Sequence, residues 1–171
     1  VKIKHGLKIG EDISINDLRN AYDAVLITIG ESTDKKLGLE HEDAVGVVSA
    51  VEFLRDVGKN IIKDLTGKNV CVIGGGNVSM DAVRTAKRMG AKKVSIAYRR
   101  RVVDMTALPT EVEAAVAEGI ELRTLMAPSS IDVDENNHIK GIYVKPQMIS
   151  AIKDGRASVK ATGEDDVYIP C

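Results

Sequence analysis

The sequence from Cys71 to Gly90 reads CVIGGGNVSMDAVRTAKRMG and places three consecutive glycines between an apolar run and an amphipathic segment. The run from Val70 to Ile73 is continuous and aliphatic, which is typical of a strand buried on both faces. After the glycines, apolar residues recur at spacings of three and four, which predicts a helix with one apolar stripe that ends at Gly90. The stripe consists of Val78, Ala82, Val83, Ala86 and Met89.

The glycines match the turn by which dinucleotide-binding folds hold a pyrophosphate. Gly74 and Gly76 supply the first two glycines of the GxGxxG pattern, and the small Ser79 takes its last position. These residues permit a tight turn, a close backbone approach to the pyrophosphate and close packing of helix on strand, while free N–H groups at the helix start face the anion. A bare glycine motif also fits an ordinary turn, but the strand and helix around it favour dinucleotide binding. The predicted contacts are Gly74, Gly75, Gly76, Asn77, Val78 and Ser79.

The alternation of strand and helix continues beyond the glycine motif. Val94 to Tyr98 predict a second strand, Thr110 is the predicted N-cap of a helix through EVEAAVAEG, and IELRTLM predicts a third strand. Beyond Pro128, IDVDENNHIKGIYVKP predicts two strands joined by a DENN turn, and a further strand pair is predicted from Ala157 to Pro170. The predicted fold class is α/β, with a Rossmann-like parallel sheet flanked by helices and an antiparallel β flap.

The N-terminal part of the chain gives a less regular pattern. Residues 1–7, VKIKHGL, predict a short strand, and Ser14 is the predicted N-cap of a short helix. The apolar run from Ala24 to Ile29 predicts a strand buried on both faces, and VGVV predicts another short strand. Ser49 is the predicted N-cap of a helix that ends at Gly58.

The end of the second strand indicates which dinucleotide is bound. A site for NAD usually carries Asp or Glu about 20 residues beyond the glycines, where it accepts hydrogen bonds from the ribose 2′-OH. Here the sequence is Tyr98-Arg99-Arg100-Arg101, and the stretch from Ala82 to Val103 contains eight Lys and Arg and no Asp or Glu. Because guanidinium groups bind a 2′-phosphate by paired, charge-assisted hydrogen bonds, Arg99 and Arg100 favour NADP(H). The other interpretation is a solvated basic surface.

Composition excludes several other classes of function. A net charge of −1 and 3% aromatic residues, with no Trp, argue against nucleic-acid binding. Cys71 and Cys171 lie far apart without a CxxC pair, so we expect no metal or iron–sulfur site within this chain and a reduced, cytoplasmic setting. No apolar run is long enough for a membrane span. Because the sequence starts at Val1 without a Met, we expect it to be a piece of a longer protein.

Several stretches together resemble the FAD-dependent NADPH oxidoreductases typified by the small (beta) chain of bacterial glutamate synthase, with the N-terminal part of dihydropyrimidine dehydrogenase as a relative. The matching stretches are YDAVLITIG, VVSAVEFL, TGKNVCVIGGGNVSMDAVRTAKRMGA, and YRR followed by MTALPTEVEAAVAEGIEL and TLMAP. They run in order over most of the chain. This resemblance implies an NADPH-binding domain, residues 67–171, inserted in an FAD domain of which residues 1–66 are a part.

The resemblance also implies roles for particular residues and for partners. Gly74 to Ser79 would hold the pyrophosphate, Arg99 and Arg100 the 2′-phosphate, and Tyr98 would pack beside the adenine. Gly30 would lie near flavin and nicotinamide. Hydride would pass from NADPH to FAD without a catalytic side chain, and electrons would continue through iron–sulfur clusters of the intact protein to a large redox subunit or another acceptor protein; the present stretch alone would be inactive.

Two points stay open at the level of the sequence. Where many members have a proline after the methionine that follows YRR, this chain has Thr106, so the role of Arg101 and of the loop 102–108 is undetermined. The alternatives to an NADPH-dependent flavoenzyme are a nucleotide-binding or regulatory module without redox activity, and a relative that uses NADH or serves ferredoxin.

Overall fold

The computed structural model describes residues 1–30, 35–62 and 64–171 of the chain. The chain divides into two compact units, Val1–Ser32 and Thr33–Cys171. The domain boundary between residues 66 and 67 that the sequence indicates stays a prediction. Within the described ranges, no helix combines the length and the apolar character that crossing a lipid bilayer requires.

The N-terminal unit contains the helix α1 (Ile15–Ala21), which begins where the sequence predicts. Ser14 is its N-cap and forms a capping box with Asp17. The Asp17 amide donates to the Ser14 hydroxyl at 3.1 Å, and the Ser14 amide donates to the Asp17 carboxylate at 3.1 Å. These two hydrogen bonds satisfy amides that a helix start otherwise leaves without a partner.

The prediction of two strands in this unit, at residues 1–7 and 24–29, is wrong. Both stretches are exposed and neither forms a strand. A β-strand needs a neighbour that pairs with its N–H and C=O groups, and no such neighbour occurs among residues 1–30. The apolar residues of these stretches predicted buried strands, but in this unit the stretches are neither buried nor paired.

The second unit contains a parallel sheet of three strands, β1 (Asn69–Ile73), β2 (Lys93–Tyr98) and β3 (Glu121–Thr124), in the order β1-β2-β3. The helices α3 (Asn77–Arg88) and α4 (Pro109–Ala117) connect successive strands. This is the predicted β-α-β-α-β succession, and its parallel strands place their carboxyl ends at one edge of the sheet.

The first core lies between this sheet and the helices. The helix α2 (Ala50–Gly58), capped by Ser49 as predicted, packs on α3 and contributes Phe53 to this core. The largest fully buried side chains of this core are Met80 and Val83 of α3 and Val94 and Ile96 of β2. Burying each of these aliphatic side chains contributes roughly 1.5–3 kcal/mol relative to leaving it in water.

An antiparallel sheet follows and confirms the predicted flap. It consists of β4 (Met126–Val133), β5 (Ile139–Lys153), β6 (Arg156–Ala161) and β7 (Val167–Pro170). The first part of β5 pairs with β4 and β7, and its second part forms a hairpin with β6. The turn between β4 and β5 lies at the DENN sequence, where Asp134 accepts amide hydrogen bonds from Asn136 and His138.

The second core lies between the parallel and the antiparallel sheet. Ala97 of β2 is buried there against Ile142 and Val144 of β5, and the two cysteines, Cys71 and Cys171, pack at its margin as free thiols. The parallel sheet is thus covered by helices on one face and by the antiparallel sheet on the other, which explains why its strands read as continuous apolar runs.

Three local predictions differ from the structure. Thr110 is not the N-cap of α4, because Leu108 takes that position and Pro109 is the first helical residue, where the fixed φ of proline suits a helix start. Val78 of the predicted α3 stripe is exposed, and Met80 is fully buried instead. The VGVV stretch forms no strand; its contribution is a single bridge between Val45 and His138.

Candidate dinucleotide-binding site

The glycine loop connects β1 to α3 at the carboxyl edge of the parallel sheet, in a conformation that requires glycine. Gly74 has φ +145°, and its amide donates to the Ala97 carbonyl of β2 at 3.2 Å. A Cβ atom at Gly74 would lie 2.5 Å from the Ser79 hydroxyl oxygen. The turn is therefore closed against the first turn of α3, and the small Ser79 is the residue that lets it approach.

Gly75 is held between two elements that sequence reasoning did not connect with it. A Cβ atom there would lie 2.7 Å from the Tyr98 ring and 3.0 Å from the Met105 side chain. The Gly75 carbonyl accepts hydrogen bonds from the amides of Thr106 and Ala107, both at 3.0 Å. The loop 102–108, undetermined from the sequence, is thus the support of the glycine loop.

The start of α3 leaves backbone donors free for an anion. Gly76 is the N-cap and has no side chain to accept a hydrogen bond from the helix. Within the described part of the chain, the amides of Gly76, Asn77 and Val78 have no protein acceptor. The Asn77 side chain instead accepts the Leu108 amide at 2.9 Å and so ties α3 to the start of α4. Unpaired amides at a helix N-terminus bind phosphate groups.

Tyr98 lies beneath this loop. Its ring is buried against Gly75, and its hydroxyl donates to the Asp104 carbonyl at 2.8 Å. The side chain therefore fixes the distance between the end of β2 and the glycine loop. A direct contact of Tyr98 with the cofactor stays a prediction.

The arginines of α3 are paired with carboxylates. The Arg84 guanidinium binds Glu111 and, at 2.8 Å, Glu118, and Arg88 binds Glu118 at 2.6 Å. Hydrogen bonds from Arg84 and then Arg88 lower the pKa of Glu118 below its ordinary value. These two arginines link α3 to α4, as the polar face of a helix does, and their charge is neutralised locally.

Arg101 is also paired, and its partner is a buried carboxylate. Its Nε donates to the Asp104 carboxylate at 2.8 Å and its Nη2 at 2.9 Å, and the Asp104 side chain is fully buried. The same carboxylate accepts the Ala157 amide at 2.9 Å. Hydrogen bonds from Arg101, and after them from the backbone, hold the pKa of Asp104 far below its usual range. The i,i+3 spacing of Arg101 and Asp104 was the signal in the sequence that could have indicated this pair.

Arg99 and Arg100 differ from the other arginines. Arg99 is exposed, and Arg100 is half-buried with its Nε donating to the Ala157 carbonyl at 2.9 Å. Among the residues that the structure describes, neither forms an ion pair with a carboxylate. Beside Arg100 lies an open pocket of about 380 Å³, to which Lys153 and Arg156 of the β5–β6 hairpin also contribute. Two positive charges at the end of β2 therefore stay available to an anion.

Gly30 belongs to the N-terminal unit and adopts φ +65°. Its proximity to a flavin or a nicotinamide stays a prediction.

Across residues 1–30, 35–62 and 64–171, no group of three or more His, Cys, Asp or Glu side chains could hold a metal ion.

A glycine loop with free amides at the carboxyl edge of a parallel sheet, covered by helices and by an antiparallel sheet, defines an α/β fold of the dinucleotide-binding class. Comparison with known families narrows this class. The model of the pyridine nucleotide-disulphide oxidoreductases matches residues 3–157, and the chain belongs to that family.

Similar proteins include subunits of redox enzymes. The chain is 36% identical over 174 residues to the NADP(+)-dependent formate dehydrogenase subunit beta of Moorella thermoacetica, covering 100% of this chain and 24% of that protein. It is 33% identical over 181 residues to the glutamate synthase [NADPH] small chain of Escherichia coli K12, covering 99% of this chain and 38% of that protein. The chain thus spans between a quarter and two fifths of the length of these relatives.

Solved structures share the fold. FprA of Mycobacterium tuberculosis in complex with NADPH superposes with a TM-score of 0.75 at 20% identity, over 96% of this chain and 51% of that one. Thioredoxin reductase of T. acidophilum has a TM-score of 0.55 at 19% identity, over 81% of this chain and 38% of that one.

Proposed function

We propose that this chain is the NADPH-binding part of a flavin-dependent oxidoreductase, which passes hydride from NADPH to FAD. The observation that carries the proposal is the pair Arg99 and Arg100 at the carboxyl end of β2. In the described residues they have no carboxylate partner, although Arg84, Arg88 and Arg101 all have one. Charges without a partner beside free helix amides fit a dinucleotide that carries an additional phosphate.

The position of these two arginines supports NADP(H) rather than NAD(H). An acidic residue at the end of the second strand would accept hydrogen bonds from a ribose 2′-OH and repel a 2′-phosphate. This chain has guanidinium groups there, which form charge-assisted and often bidentate hydrogen bonds to phosphate. Each such hydrogen bond contributes about 1.5–3 kcal/mol, so the pair can account for a preference of tenfold or more.

The residues of the glycine loop fit a pyrophosphate. Gly74 and Gly75 have no room for a side chain, so the loop packs closely on Ser79 and Tyr98 and can form the tight turn that the pyrophosphate motif requires. The free amides of Gly76, Asn77 and Val78 would donate to phosphate oxygens, while Tyr98 and the loop 102–108 hold the glycine loop in place. In this proposal Tyr98 supports the site from below and Arg99 and Arg100 bind the 2′-phosphate.

Bound NADPH supplies the hydride, and FAD accepts it. The protein contributes position and electrostatics, and no side-chain acid or base is needed for a direct hydride transfer. We propose that FAD is held mainly by segments outside this chain, with Gly30 near the flavin and the nicotinamide. Residues 1–66 are then the part of the FAD domain that this chain contributes.

The names of the relatives support NADPH as the dinucleotide but differ in the reaction that they name. The formate dehydrogenase and glutamate synthase subunits carry NADP or NADPH in their names, as does the NADPH-Fe(3+) oxidoreductase subunit beta of Geobacter sulfurreducens. We propose that the chain comes from a glutamate synthase small chain or a close relative of it. It would then act in the cytoplasm with a large redox subunit or another acceptor protein, and iron–sulfur clusters would lie outside this chain, which has two cysteines.

The test is a titration with the adenosine half of the cofactor, which does not depend on the flavin. Calorimetry on the 171-residue chain would compare 2′,5′-ADP with 5′-ADP, and NADPH with NADH. We expect 2′,5′-ADP to bind about tenfold to a hundredfold more tightly, and Arg99→Ala with Arg100→Ala to remove most of that preference.

The matched control is Arg84→Ala with Arg88→Ala, which removes two arginines that are already paired with carboxylates. This control should retain the preference for the 2′-phosphate. Equal affinity of the parent chain for 2′,5′-ADP and 5′-ADP would overturn the proposal, and so would an unchanged preference in the Arg99 and Arg100 variant.

A further inference from the structure

The β5–β6 hairpin brings two more positive charges to the end of β2. Asp154 and Gly155 form its two-residue turn with φ +50° and +77°, and Lys153 pairs directly with Arg156 across the strands. A two-residue turn with positive φ at both positions matches the twist of the strands and fixes their register. The register therefore places the two basic residues side by side.

Three hydrogen bonds hold the tip of this hairpin against the loop that follows β2. The Asp104 carboxylate accepts the Ala157 amide at 2.9 Å, and the Arg100 Nε donates to the Ala157 carbonyl at 2.9 Å. The Arg101 Nη2 donates to the Gly155 carbonyl at 3.3 Å. Ala157 is itself buried. The hairpin tip is thus positioned by the residues next to the proposed 2′-phosphate site.

The charges at this tip are unbalanced. Like charges directly opposite each other in an antiparallel pair are destabilising, and Lys153 and Arg156 are such a pair. Neither forms an ion pair among the described residues, and Asp154 is the one carboxylate in the lining of the pocket that they share with Arg100. The arrangement holds three positive charges against one negative charge, and an anion between them would relieve the repulsion.

The pocket is large enough for a phosphate group and the adjoining ribose. It has a volume of about 380 Å³ and is open to solvent, and Ala157 and Ser158 complete its lining. Arg100, which forms one wall, lies two residues beyond the end of β2, and in this fold the residue that contacts the adenosine ribose stands at the end of the second strand. The hairpin side of the pocket supplies Lys153 and Arg156.

We propose that Lys153 and Arg156 of the β5–β6 hairpin form the second wall of the 2′-phosphate site and determine the preference for NADP(H) together with Arg99 and Arg100. This proposal rests on the function proposed above. The sequence motif at the end of β2 then specifies half of the site, and the antiparallel flap specifies the other half. Lys153 and Arg156 are exposed, so the site is completed by the ligand rather than by protein partners.

The experiment compares Lys153→Gln/Arg156→Gln with the parent chain in titrations with 2′,5′-ADP, 5′-ADP and inorganic phosphate. We expect the affinity for 2′,5′-ADP to fall about tenfold, because two charge-assisted contacts are removed, while the affinity for 5′-ADP stays within about twofold. Lys153→Arg/Arg156→Lys keeps both charges and should retain most of the affinity. The charge reversal Lys153→Glu/Arg156→Glu should reduce it further than the glutamine variant.

A matched control removes two charges elsewhere. Lys68→Gln/Lys92→Gln changes exposed lysines that precede β1 and β2, outside the pocket, and should leave both affinities unchanged. Circular dichroism and thermal melting would verify that each variant folds as the parent does.

The outcomes separate this inference from the function on which it rests. If Arg99→Ala/Arg100→Ala removes the preference for 2′,5′-ADP but the hairpin variant keeps it, the second wall is refuted and the proposed function stands. If the hairpin variant loses only its affinity for inorganic phosphate, the pocket takes a free anion and the inference is wrong. If the parent chain shows no preference for the 2′-phosphate, the proposed function and this inference fail together.

Discussion

Two groups of arginines lie in one basic stretch of the chain and have different surroundings. Arg84 and Arg88 of α3 bind Glu111 of α4 and Glu118, the C-cap of that helix, whereas Arg99 and Arg100 at the end of β2 have no carboxylate partner in the described residues. The residue type and the local charge of the sequence are the same. What differs is the element opposite: α4 presents carboxylates, and the hairpin tip presents backbone carbonyls and more cations. The number of arginines therefore indicates less about function than their partners do.

The strongest disruption of this comparison is Asp104→Asn, which removes the carboxylate partner of Arg101, the residue that directly follows the unpaired arginines. Asp104 is fully buried, and its carboxylate holds both the Arg101 guanidinium and the Ala157 amide. The substitution removes the ionic partner of Arg101 and weakens the acceptor of the Ala157 amide, so we expect the largest fall in melting temperature of the variants described. The hairpin tip would also loosen, and the affinity for 2′,5′-ADP would fall with it.

Glu118→Gln provides the comparison for that variant, because the Glu118 carboxylate is also paired with arginines but is partly exposed, whereas that of Asp104 is fully buried. It should lower the melting temperature less and leave nucleotide binding intact. A melting temperature of the Asp104 variant equal to that of the Glu118 variant would contradict the role of Asp104 as the link between β2 and the hairpin.

A smaller effect is expected from Gly75→Ala, which concerns the loop beside the unpaired arginines. The added methyl group would lie 2.7 Å from the Tyr98 ring, which is buried and is held by the hydrogen bond from its hydroxyl to the Asp104 carbonyl. Overpacking of this kind costs about 1–3 kcal/mol, and the displaced loop should bind 2′,5′-ADP and 5′-ADP equally less well. Denaturant unfolding and calorimetry would measure the two effects.

Gly58→Ala is the matched glycine substitution. Gly58 is the last residue of α2, and a Cβ atom there has nothing within 4 Å. Its stability should stay the same or rise slightly, because alanine favours a helix over glycine. If Gly75→Ala were as well tolerated as Gly58→Ala, the close packing of the glycine loop on Tyr98 would be refuted.

The smallest effect is expected on the pH dependence of the melting temperature, through the ion pairs of Arg84 and Arg88 with Glu118. Because hydrogen bonds from Arg84 and Arg88 lower the folded-state pKa of Glu118 below the ordinary 4.5, the pair stabilises the fold above that pH. The contribution is lost as the pH falls through the folded-state pKa, since protonation then opposes the native pairing. The parent chain should therefore lose melting temperature between neutral pH and about pH 3 more steeply than Arg84→Gln/Arg88→Gln does.

The control for this pH dependence is Arg99→Gln/Arg100→Gln, since these arginines have no carboxylate partner within residues 1–30, 35–62 and 64–171. Its pH profile should be parallel to that of the parent chain. A profile that is flattened as much as that of the Arg84 and Arg88 variant would show that Arg99 and Arg100 are paired in solution.

Much of the fold was predictable because its signals are local. The apolar run before Gly74 and the stripe of α3 indicated β1, the glycine turn and the helix, and the DENN turn indicated the hairpin of β4 and β5. Residues that depend on distant partners were not predictable. Met105 and Thr106 support Gly75 from thirty positions away in the sequence, and the cap of α4 depends on Pro109 and on an amide bound by Asn77.

The two strands predicted in the N-terminal unit show that an apolar run alone does not predict a strand. Ala24 to Ile29 have the apolar character of a buried strand, yet the described part of that unit has no strand to pair with them. An apolar run predicts that its side chains are buried, whereas a strand also requires a neighbouring strand whose N–H and C=O groups pair with its own. For the site, the YRR sequence indicated Arg99 and Arg100, but the participation of Lys153 and Arg156 could be inferred only from the register of the hairpin.

The packing of the two cysteines in the second core has a practical consequence for spectroscopy. Burial raises the pKa of the Cys71 thiol, and burial together with Cys71 raises the pKa of Cys171 to about 12. Since the thiolate is the reactive form, both native cysteines should react slowly with maleimides at neutral pH. A cysteine introduced at the exposed Lys160, in β6 of the hairpin, could then carry a fluorophore without removal of either native thiol, and would report on cofactor binding at the hairpin tip.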